Sequence, residues 1–144
     1  MNIALIAHDE KKELMVQFCI AYCGILTQHR LCATSKTAKY ISESTGMKIE
    51  SLLSGSLGGA EQVTSRIAYN EIDLLLFFRD TQKEGYINSD DIDMLRMCDV
   101  YNVPVATNLA TAEVLVRALE RGDLAWREFV NPRSEYNKRK NAKR

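Results

Sequence analysis

A chain of 144 residues is long enough for one compact domain with a sizeable core. It is 46% hydrophobic and 26% charged, ordinary values for a soluble globular protein, and no apolar run approaches the ~20 residues that span a bilayer. The formal net charge is zero, so bulk electrostatics select no partner, but six of the 19 Lys/Arg and one of the 19 acids fall in residues 131–144.

Short apolar runs alternate with helical patterns along the chain. "NIALIA" (2–7) predicts a buried strand. Residues 11–26 carry apolar side chains at helical spacing, among them Leu14, Phe18, Ala21, Tyr22 and Ile25. "RLCAT" (30–34) predicts a short strand, and 37–45 a helix stopped by Gly46. Residues 47–53 alternate as a strand does. The turn "SGSLGG" then leads into a helix over about 60–70. "DLLLFF" (73–78) is the clearest buried strand, and residues 79–89 are polar and loop-like. A helix is expected over 90–102, with acids in its first turn that favour its dipole. A strand at 103–107 and a helix at 111–120 follow.

This alternation implies an α/β fold, a mostly parallel sheet with helices on both faces, in one domain over 1–130. The segment 131–144 is too polar for a core element. It is expected as a basic tail, disordered or laid against a neighbour. No secretory leader is expected, and four cysteines in so apolar a chain suit a reduced, cytoplasmic compartment better than a disulfide framework. Cys19 and Cys23 sit i, i+4 on a predicted helix and are read as small buried hydrophobes rather than half a metal site.

Ligands of such sheets bind beyond the carboxyl ends of the strands. "AHDEKK", "ATSKTA", "SGSLGG", "FFRDTQ" and the Thr107–Asn108 corner should converge there. In "TSKT" (34–37), Thr34, Ser35 and Thr37 bring three hydroxyls and Lys36 a positive charge to a helix mouth, where backbone N–H groups and the dipole favour an anion. Gly55, Gly58 and Gly59 let the backbone approach a ligand, and Lys12 reaches toward the same anion. Taken singly, the hydroxyls read as helix caps and the glycines as a turn. Together they read as a phosphate-like anion site. The acids Asp9, Asp80 and Asp90, with His8 beside Asp9, could serve as a general base, as orienting groups or as caps.

These segments, with "SESTGMKIESLLSGSLGG", "IAYNEIDLLLFFRD" and "VYNVPVATNLATAE", resemble the methylglyoxal synthase family over residues 2 to about 130. The resemblance implies a three-layer Rossmann-like domain, a homohexamer, and conversion of dihydroxyacetone phosphate to methylglyoxal and phosphate without a metal or organic cofactor. In that family an aspartate removes a carbon-bound proton and a histidine polarises the carbonyl. His8, Asp9 and Lys12 match the family's "AHD" segment and phosphate-contacting lysine. Asp80 matches the acid of "FFxDP", Asp90 an acid of "PHxPD", and Ser54, Gly55, Gly58 and Gly59 the "SGPxGGD" turn. The family's base falls on Ala60 and its histidine on Ile87. Its "TGTTG" is "TSKTA" here, so Thr34 and Thr37 stay and Lys36 is new.

On these departures a catalytically silent relative is expected, one that senses or sequesters a small phosphorylated ligand such as a nucleotide or cyclic nucleotide signal. The alternative is a methylglyoxal synthase, weak or with a relocated base such as Glu61 or Asp9. Glu61 is a poor substitute for an acid at 60, because adjacent helical residues point about 100° apart. Neither a membrane nor nucleic acid is expected as a partner. The basic tail reads as solvated; the resemblance implies instead a C-terminal arginine that reaches a neighbouring subunit's phosphate site, for which Arg139 is the candidate.

Overall fold

The computed structural model describes residues 1–82 and 89–143. Its centre is a five-stranded, all-parallel sheet: β1 (Asn2–Ala7), β2 (Arg30–Thr34), β3 (Ile49–Leu52), β4 (Leu74–Phe78) and β5 (Val105–Ala106), in the order β3-β2-β1-β4-β5. β1 is central, with Ile3 beside Leu31 on one side and beside Leu74 on the other.

Strand side chains alternate between faces, and here both faces are apolar. Ile3, Leu5, Leu74, Leu76 and Phe78 point to one side. There they meet α1 (Lys12–Ala21), α2 (Cys23–Leu26), α3 (Ser35–Thr45) and α6 (Leu109–Arg121) through Met15, Phe18, Leu26, Ile41 and Val116. Ala4, Ile6, Leu75 and Phe77 point to the other side, under α4 (Gly59–Ala68) and α5 (Ser89–Tyr101), through Val63, Ile67, Met94 and Cys98. This is the three-layer Rossmann-like α/β arrangement. It explains why β4 is apolar without interruption: each residue has a helix layer above or below it.

Three local features differ from the expectation. The helix expected over 11–26 breaks at Tyr22, whose φ of −109° and ψ of 22° leave the helical region, and α2 redirects the chain so that Leu26 is fully buried. The strand expected over 103–107 pairs only at Val105 and Ala106. Pro104 has no N–H to donate and serves the ladder only as an acceptor, from Leu75 N–H at 3.0 Å. Thirdly, residues 131–143 are not a free tail. Asn131 is buried, and Ser134 caps α8 (Glu135–Ala142) by accepting from Asn137 N–H. The polar composition does keep α8 itself out of the core, since none of its side chains is buried.

The anchor of that segment is a buried polar cluster below the amino ends of β1 and β4. Arg127, in α7 (Arg127–Val130), donates from Nε to Asp73 Oδ1 (3.1 Å) and from Nη2 to the Ile72 carbonyl (2.9 Å). Asn131 Nδ2 donates to the Asp73 carboxylate at 3.0–3.1 Å, and Asn2 N–H donates to Asp73 Oδ2 at 2.8 Å. Buried charges persist only when paired and hydrogen-bonded, and Asp73 meets this condition with three partners.

Cys19, Cys32 and Cys98 are buried and Cys23 half-buried. Burial pushes the Cys19 thiol up to about 12 and the Cys32 thiol to about 11, so both are inert. No described helix is long and apolar enough to cross a membrane.

Candidate functional site

β1 and β4 are neighbours in the sheet but not in the chain. The chain leaves β1 for a helix on one face and leaves β4 for a helix on the other. The two following loops therefore diverge, and a crevice opens at the carboxyl ends of these strands, where α/β sheets bind ligands. A cavity of about 800 Å³ lies there.

Four strand ends supply its walls. The β1 end gives His8, Asp9 and Lys12, and the β2 end gives Thr34 and Lys36. The turn after β3 gives Ser54, Gly55 and Ser56, with Ala60 from α4 behind it. The β4 end gives Asp80 and Gln82, and the first turn of α5 gives Asp90 and Asp91. Four residues singled out in the sequence are absent from the wall: Ser35, Thr37, Gly58 and Gly59. The fifth strand end is also absent, because Asn108 is occupied as the cap of α6, accepting from Thr111 N–H at 3.0 Å. Ile87 lies outside the described residues.

The glycines of the turn are explained by packing. Gly58 has φ +99°, a left-handed backbone that side-chain-bearing residues rarely adopt. A Cβ on Gly59 would overlap the Leu53 carbonyl oxygen and lie 2.8 Å from Thr34 Cγ2. This pair presses the start of α4 against the ends of β2 and β3, whereas Gly55 has open space around it and faces the cavity.

The hydroxyls are not consumed as caps. Thr34 stands at the N-cap of α3 and makes no side-chain cap bond, and Ser54 Oγ meets only Ser56 Oγ, at 3.2 Å. Thr37 Oγ1 is buried without a hydrogen-bond partner. The mouth of α3 thus keeps unused donors beside two lysines. Lys12 is buried, donates to the Ala7 carbonyl at 2.6 Å and lies 3.3 Å from Asp9 Oδ1. Lys36 Nζ lies 3.6 Å from the same oxygen. The Lys12 hydrogen bond and charge, with Lys36 adding to them, hold the Asp9 carboxyl below its usual 3.8. Burial pulls the Lys12 ammonium below its usual 10.5.

In the same crevice His8 is fixed at both ring nitrogens. Asp80 N–H donates to His8 Nδ1 at 2.9 Å, so the neutral ring carries its proton on Nε2. Nε2 meets Asp91 Oδ2 at 3.1 Å, and the ring stands edge-on to Phe77 at a centroid distance of 5.3 Å. The Asp80 carboxylate is buried and partly engaged, since Oδ1 accepts from Gln82 N–H at 3.0 Å. Asp91 and Gln82 were not anticipated from the sequence. The spacing of the helix held the signal for Asp91: one residue past Asp90 is a 100° turn, enough to exchange an exposed place at the crevice for a buried one.

Glu61 lies outside this cavity. It is exposed and lines a separate groove between α4 and α5 with Thr64, Ser65, Ala68, Asp90 and Asp93. It therefore does not stand in for an acid at position 60.

The fold and the crevice define a parallel α/β domain with a mouth lined by lysines, hydroxyls and carboxylates at its topological switch point. A family profile, MGS-like domain, matches residues 15–107. Methylglyoxal synthase of Caldicellulosiruptor saccharolyticus is 56% identical over 138 residues, covering 96% of this chain and 98% of that protein. Methylglyoxal synthase of Geobacillus thermodenitrificans is 48% identical over 144 residues, the whole length of both chains. The crystal structure of methylglyoxal synthase from Elizabethkingia anophelis superposes with a TM-score of 0.73 at 37% identity, covering 80% of this chain and 76% of that one. The chain belongs to the methylglyoxal synthase family.

These relatives overturn the expectation of a catalytically silent sensor of a phosphorylated signal. Proteins that match this chain from end to end at about half identity carry the name of the enzyme, and none of them points to a nucleotide-binding module. That expectation rested on Ala60 and Ile87 at two motif positions, but a catalytic group is defined by its position in the folded cavity and not by its place in a motif.

Proposed function

We propose that this protein is a carbon–oxygen lyase of the methylglyoxal synthase type, which converts dihydroxyacetone phosphate to methylglyoxal and phosphate. The observation that carries this reading is that one crevice brings two kinds of group together. Thr34, Lys12 and Lys36 are suited to a phosphate dianion. His8 and the carboxylates are suited to moving a proton. The names of the near-full-length relatives support the same reaction.

The chemistry balances without a co-reactant. The C–H bond at the hydroxymethyl carbon breaks, its proton goes to a base, and its electron pair forms the C=C bond of an enediolate while the carbonyl oxygen takes up charge and then a proton. The hydroxyl on that carbon next loses its proton and closes to an aldehyde. The C=C pair shifts one bond along, and the bond to phosphate breaks with the electron pair leaving on phosphate. The remaining enol gains a proton at its CH2 end and loses one from oxygen to become methylglyoxal. In this proposal Lys12 and Lys36 bind the phosphate and favour its departure. Ala60 and Ile87 occupy the positions of the family's aspartate and histidine, so the base comes from another wall of the cavity.

Purified protein should release phosphate from dihydroxyacetone phosphate faster than its spontaneous breakdown. Lys12→Ala or Lys36→Ala should raise KM by about tenfold, the loss of one charge-assisted hydrogen bond of about 1.5 kcal/mol. Unchanged KM in both variants would contradict the placement of the phosphate.

A further inference from the structure

We propose that Asp91, held by His8, is the general base of this site. The inference rests on the lyase reading above and names the group that the reading leaves open. Four acids line the crevice besides Glu10, and their surroundings differ. Asp9 is exposed and shared between two lysines, so it belongs with them. Asp80 spends Oδ1 on the Gln82 amide and its own amide on His8. Asp90 is exposed at the join with the outer groove. Asp91 is buried in the first turn of α5, lines the cavity and meets His8 Nε2 at 3.1 Å.

The hydrogen-bond directions assign the roles. His8 Nδ1 accepts from a backbone amide and cannot take a proton without losing that bond. The ring therefore stays in one tautomer and presents Nε2–H to Asp91, which orients the carboxylate. His8 is a positioning residue, and Asp91 is the acceptor that faces the substrate. Asp91 takes the proton of the hydroxymethyl carbon, the C–H pair forms the enediolate double bond, and water later removes the proton from Asp91. The base thus comes from α5 in this chain, in the cavity that Ala60 of α4 also lines.

The test is turnover of dihydroxyacetone phosphate in heavy water, with deuterium wash-in at the hydroxymethyl carbon and phosphate release followed separately by NMR. Asp91→Asn retains an acceptor for His8 Nε2–H but cannot take a proton, so a merely structural role would leave it active. We expect kcat and wash-in to fall together by about 10²-fold or more, the usual weight of general-base catalysis, with KM within about threefold and an unchanged melting temperature. Asp91→Glu should recover part of the loss, and His8→Gln should lower kcat less than Asp91→Asn. Should Asp91→Asn melt early, the kcat of Asp91→Glu and of His8→Gln decides, and wild-type values in both would overturn the proposal. Asp91→Asn with kcat within twofold of wild type would overturn the base assignment and leave the lyase reading standing. Wild-type protein that washes in deuterium but releases no phosphate would overturn the lyase reading and leave the base standing. Wild-type protein that does neither would overturn both.

Discussion

At the scale of single residues, the crevice sorts like charges by their neighbours. Asp9 and Asp91 are both acids at the same mouth, yet one is neutralised by lysines and the other is oriented by an imidazole. Their separation in function was not legible in the sequence, because His8 and Asp91 are 83 residues apart and meet only when β1 and β4 pair. The set suited to an anion was more legible, since Thr34 and Lys36 lie three residues or fewer apart in one motif. Glu61 gives a check on the boundary of the site. Glu61→Ala should leave kcat and KM within about twofold of wild type, because the side chain is exposed in another groove, and a steady-state assay decides it. Asp9 gives a pH signature. Its native pKa is depressed by Lys12, so the unfolded chain binds more protons in acid. Its contribution is present above pH ~4 and disappears as pH falls through the native value. Asp9→Asn should therefore flatten the acid limb of the stability curve by less than about 1 kcal/mol, as befits an exposed pair, measured by urea unfolding between pH 3 and 7.

At the scale of elements, the buried strands and most helices could be read directly. An apolar run such as residues 74–78 must be covered on both faces, and only a sheet between helix layers does so. What escaped was the polar cluster of Asp73, Arg127 and Asn131. The available signal was a charged residue placed immediately before the most apolar strand, where an acid must find a buried partner. The cluster ties α7 and the start of the C-terminal segment to the amino ends of β1 and β4, remote from the crevice at their other ends. Asp73→Ala leaves the fully buried Arg127 guanidinium without its counter-charge, which should cost about 3–5 kcal/mol. Denaturant unfolding checks the stability, and activity per folded molecule should be unchanged because no residue of the cluster lines the crevice.

At the scale of the molecule, strand order decides where chemistry is possible. The reversal between β1 and β4 opens one mouth, and four of five strand ends deliver side chains to it. The fold class followed from the alternation of short apolar runs and helical patterns. The expectation of a silent relative rested on Ala60 and Ile87 at two motif positions, whereas the folded cavity carries carboxylates from three other segments, the β1 and β4 ends and the first turn of α5. The most direct measurement is phosphorus and proton NMR of dihydroxyacetone phosphate incubated with the purified wild-type protein. The expected result is phosphate and methylglyoxal appearing in equal amounts, well above the protein-free rate. Substrate that stays intact, or phosphate released with glycerone in place of methylglyoxal, would contradict the lyase account.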